Sequence, residues 1–179
     1  MRNRERLLEA ARTVFAGGGP DASLEAVART AGVGIGTLYR HFPTREALFE
    51  AVYRREADEL AGLAARLAAE EAPLDALRLW LKGAVRMVAT KKGMLAALVQ
   101  KYDAASTPLQ DASALNRRSL EGLMARAQKG GAVRADVAPG EVLNALWGLC
   151  HAFEMPAQVD RILHLIDVFV DGLATPPPG

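Results

Sequence analysis

The chain of 179 residues has a single cysteine, Cys150, and only three histidines. One thiol rules out an intrachain disulfide and fits a reducing compartment. His41, His151 and His164 do not stand at ligand spacing from acids or from Cys150, and the neighbours Cys150 and His151 point to different sides of one helix. No metal or other cofactor is expected. Long apolar runs are also missing: Met94-Leu-Ala-Ala-Leu-Val99 falls far short of the roughly 20 residues that a membrane span requires. The beginning, Met1-Arg-Asn-Arg-Glu-Arg6, carries no apolar leader, so a soluble cytoplasmic protein with no membrane partner is expected. No stretch alternates apolar and polar residues as a half-buried strand does. Gly17-Gly18-Gly19-Pro20 lacks the Lys-Ser/Thr that completes a phosphate-cradling loop. With no paired acid and base in view either, catalysis is not expected.

What is present is ordinary in total and uneven in placement. Half of the residues are hydrophobic and 24% are charged, the range of globular chains. This length can bury a sufficient core as one domain, or as a small domain fused to a larger one. The formal net charge of +1 conceals a division: residues 1–55 hold nine arginines against six acids, and the remainder is mildly acidic. Such asymmetry is what a chain shows when only its N-terminal part meets a polyanion, although a few charges can also fall this way by chance.

The periodicity is helical throughout and predicts an all-α fold of about nine helices. Leu7, Leu8, Ala11, Val14 and Phe15 form one stripe, ended by the glycines and Pro20. Ser23 stands as an N-cap before Leu24, Val27, Ala28 and Ala31, and Gly32 ends that short helix. A third helix begins at Gly34 and reaches about His41, and Thr44 caps a long fourth that extends to about Ala69. Further starts are expected near Pro73, Lys92, Pro108, Pro139 and Ala157, proline being tolerated in a first turn, and Gly130-Gly131 is a stop.

The second and third segments, joined by a turn at Gly32, have the arrangement of a helix-turn-helix. Small Ala28 permits close crossing, Gly32 can take a positive φ, and Leu38 and Phe42 face inward. The outward side of the third helix then presents Gly36, Thr37, Arg40 and His41, small or hydrogen-bonding residues suited to a major groove. The bases of the first arginines, Arg2, Arg4 and Arg6, read more simply as a frayed basic end than as a minor-groove arm. Taken singly, Tyr39 could be a core residue and His41 an ordinary surface one.

The run Ala31-Gly-Val-Gly-Ile-Gly-Thr-Leu-Tyr-Arg-His-Phe42, continued by Pro43-Thr-Arg-Glu-Ala-Leu-Phe49, resembles the DNA-binding signature of the tetracycline-repressor (TetR) family. The likeness covers about residues 4–50, and its Thr-Leu-Tyr-x-His-Phe core is specific. The resemblance implies that Gly36 admits close approach to a base edge and that Thr37 touches a base or phosphate. It implies phosphate contacts from Tyr39, His41 and Arg45, with Ser23 capping a helix aimed at another phosphate. Arg40 is the candidate for base specificity, since arginine can grip guanine O6 and N7 together. Gly34 and Ile35 depart from the family's usual polar residues, which weakens the cap of the third helix and removes one phosphate contact.

The last two predicted helices are apolar over more than one face, through Leu143, Leu146, Trp147, Ile162, Leu165, Ile166 and Phe169. The surplus suggests a two-fold interface, and the resemblance implies a four-helix bundle between two copies. Such a homodimer would present two recognition helices about 34–36 Å apart to double-stranded DNA carrying a near-palindromic operator. Trp80, Met87, Met94, Tyr102, Met124, Trp147 and His151 are large or adaptable residues that could line a cavity for an apolar or aromatic effector, although each alone also suits an ordinary core. The expected division is a helix-turn-helix domain at 1–47, an effector-binding and dimerisation domain at 48–175 and a disordered tail at 176–179. The function expected is that of a bacterial, ligand-responsive regulator, repressing rather than activating because nothing resembles a polymerase-contacting module. The alternatives are a constitutive DNA-binding dimer and, from a different class, a helical small-molecule carrier or enzyme.

Overall fold

A computed structural model describes residues 2–17, 22–97, 107–153 and 157–175, with side chains at 93–97 and 107–109 left out of the description. Its helices are α1 (Arg2–Gly17), α2 (Leu24–Thr30), α3 (Ile35–His41), α4 (Arg45–Glu70), α5 (Pro73–Ala97), α6 (Thr107–Lys129), α7 (Pro139–Ala152) and α8 (Val159–Leu173). Among the described residues there is no strand, only the isolated bridge Val133–Ala174, and no helix is long and apolar enough to cross a membrane.

The helix boundaries follow from local chemistry. Ser23 Oγ accepts from the Ala26 amide at 3.1 Å and Thr44 Oγ1 from the Ala47 amide at 3.1 Å, each satisfying a first-turn donor that would otherwise lack a partner. At the head of α7, Pro139 follows Ala138, whose amide donates to the Glu141 carboxylate at 2.7 Å. Gly131 stops α6 with φ 70°, a left-handed conformation that other residues resist. The eight helices among the described residues are one fewer than the periodicity suggests, because α5 continues through the start expected at Lys92. Gly93 does not end the helix there: the Thr90 hydroxyl donates back to the Arg86 carbonyl, and Lys92 Nζ reaches the Cys150 carbonyl of α7 at 2.6 Å. The tail at 176–179 lies outside the described residues.

The long helix α4 organises the molecule. Its 26 residues extend about 39 Å at 1.5 Å per residue, so it begins beside the short helices and ends deep among the later ones. Leu48, Phe49 and Val52 bury its first half, and Leu60, Ala64 and Leu67 its second, in a core continuous with that of the N-terminal helices. Trp80 of α5 is fully buried and donates its indole N–H to the Leu60 carbonyl at 3.1 Å, which fixes α5 against α4. On the far side α8 buries Ile162, Ile166, Val170 and Leu173 against this core. Arg78 and Lys82 of α5 hold it there through Asp167 and Asp171, at 2.6 Å and 2.7 Å in the shortest contacts.

Candidate nucleic-acid interface

Helices α2 and α3 are each too short to persist alone and depend on packing for their existence. Leu24, Val27 and Ala28 from α2, Leu38 from α3 and Phe42 just beyond it are all buried in the core that Leu7, Leu8, Ala11 and Phe15 of α1 supply. The turn between them closes through the Gly32 amide on the Arg29 carbonyl and the Val33 amide on the Ala28 carbonyl, each at 3.0 Å. Gly32 has φ 62°, the backbone the turn needs, and the Arg6 guanidinium lies over its Cα. Arg4 stacks on the Phe42 ring at 5.5 Å. The first arginines are therefore helical, with Arg4 and Arg6 engaged, contrary to a frayed end.

With Leu38 pointing inward, the opposite side of α3 faces solvent. Gly36, Tyr39 (46% exposed), Arg40 and His41 are open, Thr37 is half-buried, and Arg45 is exposed at the first turn of α4. Ser23 is half-buried at the head of α2, its hydroxyl occupied by the cap. Arg40 Nη2 donates to Thr37 Oγ1 at 2.9 Å, so the guanidinium is folded along the helix and must swing outward to reach a base. Gly34 caps α3 without a side-chain bond, and Ile35 adds an exposed apolar group, 38% accessible, to this surface.

An ion-pair cluster connects this head to α4. Arg55 bonds Glu59 at 2.8 Å on its own helix and reaches Glu5 and Glu9 of α1, both at 3.3 Å. Arg12 of α1 reaches back to Glu59 at 3.4 Å. Periodicity alone reads Arg54, Arg55, Glu56, Asp58 and Glu59 as one charged, solvated stretch; the structure instead pairs Arg55 with Glu59 and buries Glu56.

Among the residues expected in an effector cavity, Trp80 and Met124 are fully buried core, and His151 is exposed, bonding the Trp147 carbonyl at 2.8 Å. The Met94 side chain and Tyr102 lie outside the described residues. A cavity of about 40 Å³ does exist between α4, α5, α6 and α7, where Trp80, Met87 and Trp147 meet Tyr53, Lys91 and Asn116. Lys91 is held below its usual pKa by burial, with Nζ 5.1 Å from the Tyr53 ring and 5.6 Å from the Trp147 ring. The buried Asn116 Oδ1 has no partner. Neither polar group was visible as a site residue in sequence, because a lone Lys or Asn on a helix reads as surface.

The expected interface residues separate into three groups. Leu146, Ile162 and Ile166 are enclosed by their own chain, the latter two at 0% exposure, and are corrected to core: they cannot face a second copy while the core stays closed. Leu143 and Trp147 flank the cavity. Phe169 is half-buried and packs against the core, and Leu165 stays half-buried at its edge, beside Val168 at 56% exposure and Gly172. Along the flank of α7 away from the cavity, Ala145, Gly148 and Ala152 form a row of small residues beside Leu149.

A helix-turn-helix head with an open, hydrogen-bonding third helix, borne on a larger helical domain, defines the class of helix-turn-helix DNA-binding regulators. Comparison with known proteins makes this specific. Residues 7–52 match the N-terminal pattern of bacterial regulatory proteins of the tetR family, and residues 72–175 match the C-terminal domain of SbtR-like transcriptional regulators. The TetR transcriptional regulator SCO0520 from Streptomyces coelicolor is 38% identical, with a TM-score of 0.79 over 96% of this chain and 98% of that one. A TetR transcription regulatory protein from Mycobacterium vanbaalenii is 35% identical, with a TM-score of 0.73 over 97% and 95%. The fatty acid degradation regulator FadR from Bacillus halodurans, 14% identical, shares the fold at a TM-score of 0.58 over 90% and 96%. The search of curated proteins found no significant match. The chain belongs to the TetR family of transcriptional regulators.

Proposed function

We propose that this regulator binds a near-palindromic operator as a homodimer, represses from it in the cytoplasm, and releases it when an apolar or aromatic effector enters the α4–α7 cavity. The observation that carries the reading is the outward face of α3, where Tyr39, Arg40 and His41 are exposed on a helix anchored by buried Leu38. In this reading Tyr39, His41, Arg45, Thr37 and the capped start of α2 at Ser23 position the head on phosphates. Gly36 admits the backbone to a base edge, and Arg40 leaves Thr37 for a guanine. Leu165, Val168 and Phe169 of α8 would meet their copies across a two-fold axis, with the small row of α7 allowing close approach.

The division near residue 47 would act as a coupling point rather than a flexible break, since α4 runs through it. Tyr53 lines the cavity on the same helix whose first turn carries Arg45, roughly 12 Å away along its axis. A cavity of about 40 Å³ holds little more than one water, so an effector would select a wider arrangement, with Met87 and Trp147 turned aside and α4 tilted. Lys91 and Asn116 suit an effector with an acceptor or acidic group on an otherwise apolar body. The nearly closed cavity also favours a second reading, a constitutive DNA-binding dimer; it differs in showing no compound-dependent change of operator affinity.

Selection of bound duplexes from a random-sequence pool tests the reading. Wild-type protein is expected to enrich a near-palindrome, and a folded His41→Ala, Arg45→Ala double variant to lose it at equal salt. Equal enrichment by both would remove the α3–α4 face from recognition.

A further inference from the structure

A second opening lies on the other side of α4, between the DNA-binding head and the body. It is a cleft of about 640 Å³, with Arg12 and Thr13 of α1 on one wall and residues of α4, α5 and α8 on the others. At its lining sits Glu56, only 8% exposed, one of whose carboxylate oxygens, Oε2, has no hydrogen-bond partner. The Arg12 guanidinium favours its charged form, but burial outweighs that effect, and Arg12 is itself paired with Glu9 at 3.1 Å and Glu59 at 3.4 Å. A buried carboxylate without a committed cation is costly, and the structure leaves that cost standing beside a cleft wide enough for a small molecule.

We propose that this cleft is a binding site for a small amphiphile bearing an amine, its ammonium group paired with Glu56 and its apolar body lying along Leu60, Met87 and Leu163. The apolar residues line the same cleft, which makes the opening two-sided in chemistry. Charge favours a cation over an anion: Glu56, Glu59 and Asp160 outnumber Arg12 and Arg86 around the walls. Burial raises the Glu56 carboxyl to about 7, against the partial help of the Thr90 hydroxyl, so an incoming ammonium would also take a carboxyl that is half protonated at neutral pH and hold it ionised. The groups facing it are Glu9 and Arg12 from α1, Glu59 from α4, Arg86 and Thr90 from α5 and Asp160 from α8. Because α1 forms a wall, occupancy is felt directly by the DNA-binding head, a route separate from the α4–α7 cavity.

Calorimetric titration of the full chain with 4-phenylbutylamine, 4-phenylbutan-1-ol and 4-phenylbutyrate at pH 8 tests the site. The amine is expected to bind at least roughly tenfold more tightly than the alcohol, the scale of one charge-assisted contact. Glu56→Gln, close to isosteric, should erase that margin and leave the alcohol unchanged; Thr13→Trp, which fills the cleft from the exposed rim, should weaken both. Amine affinity should rise between pH 6 and pH 8 in the wild type and stay flat in Glu56→Gln. Equal binding of amine and alcohol, an unaltered margin in Glu56→Gln, or no binding by the amine would overturn the proposal. So would amine binding that is lost in Trp147→Ala and retained in Glu56→Gln, since that places it in the other cavity. Phenylbutyrate addresses the α4–α7 cavity separately: its loss in Lys91→Met with retention in Glu56→Gln would keep the two sites distinct.

Discussion

Glu56 has a measurable signature at the level of a single residue. Its carboxyl titrates near 7 in the folded chain because burial disfavours the charge, against an ordinary 4.5. Between these values the unfolded chain has already lost the proton that the folded one retains. Stability attributable to this group is therefore complete below about pH 4.5, falls as pH rises towards 7, and stays low above it. Glu56→Gln is expected to unfold at higher denaturant than wild type at pH 8, by an amount on the order of 3 kcal/mol, with the gap closing towards pH 4.5. A gap independent of pH would mean the carboxyl is not the cause. Arg40 makes a different prediction, on specificity. Arg40→Ala should cost about 1–3 kcal/mol at one operator position and relax the base preference there, whereas losing a phosphate contact, the role proposed for Tyr39, should weaken all sequences alike. Sequence-by-sequence affinity measurement separates the two; a uniform loss in Arg40→Ala would reassign that side chain to the backbone.

Between helices, the cluster around Arg55 determines how firmly α1 is held to α4. Arg55 is the only bridge in it that joins three carboxylates, Glu5, Glu9 and Glu59. Its partners are largely exposed, so Arg55→Ala should cost about 1 kcal/mol or less, and less again at high salt. The informative readout is hydrogen exchange, which should quicken in α1 and stay unchanged in the interior of α5. Unchanged exchange in α1 would show that packing alone docks it. The helices themselves were mostly legible in sequence, because caps and breakers act locally: Ser23, Thr44, Pro139, Gly32 and Gly131 each announce a boundary by their own chemistry. Lys92 misled since the neighbouring Gly93 weakens a helix without ending it, and a change of apolar phase alone does not end one. Which apolar row faces which neighbour was not legible. Periodicity shows that α8 has apolar residues to spare, but only packing assigns Ile162 and Ile166 to the core, sets Phe169 half-buried against it and leaves Leu165 and Val168 on the open flank. Glu56 and Lys91 escaped for the same reason: burial of a charged residue is a property of where helices meet, not of the run that contains it.

At the scale of the molecule, the proposed reading of one operator by two heads rests on the outer flanks of α7 and α8. Val168 is exposed at 56%, and a Cβ added at Gly148 or Gly172 would meet nothing within 4 Å. The chain alone therefore has no steric use for glycine at these places, and helix propensity argues against it by about 1 kcal/mol relative to alanine. Close contact with a second copy supplies a use: small residues in the row of Ala145, Gly148 and Ala152 let helix axes approach across a two-fold axis. Gly148→Arg puts this to the test, since the substitution is sterically free in one chain and places two like charges at a closed interface. The expected outcome is a folded monomer by light scattering, with thermal stability lowered only by the loss of dimer linkage. Its affinity for a full operator should fall to that of one head on a half-site, and cooperativity between half-sites should vanish. A variant that stays dimeric would move the interface off this flank of α7. A wild type that is monomeric at micromolar concentration and still binds the whole palindrome without cooperativity would remove the two-fold reading, and with it the argument that α7 and α8 carry their surplus apolar surface for a partner.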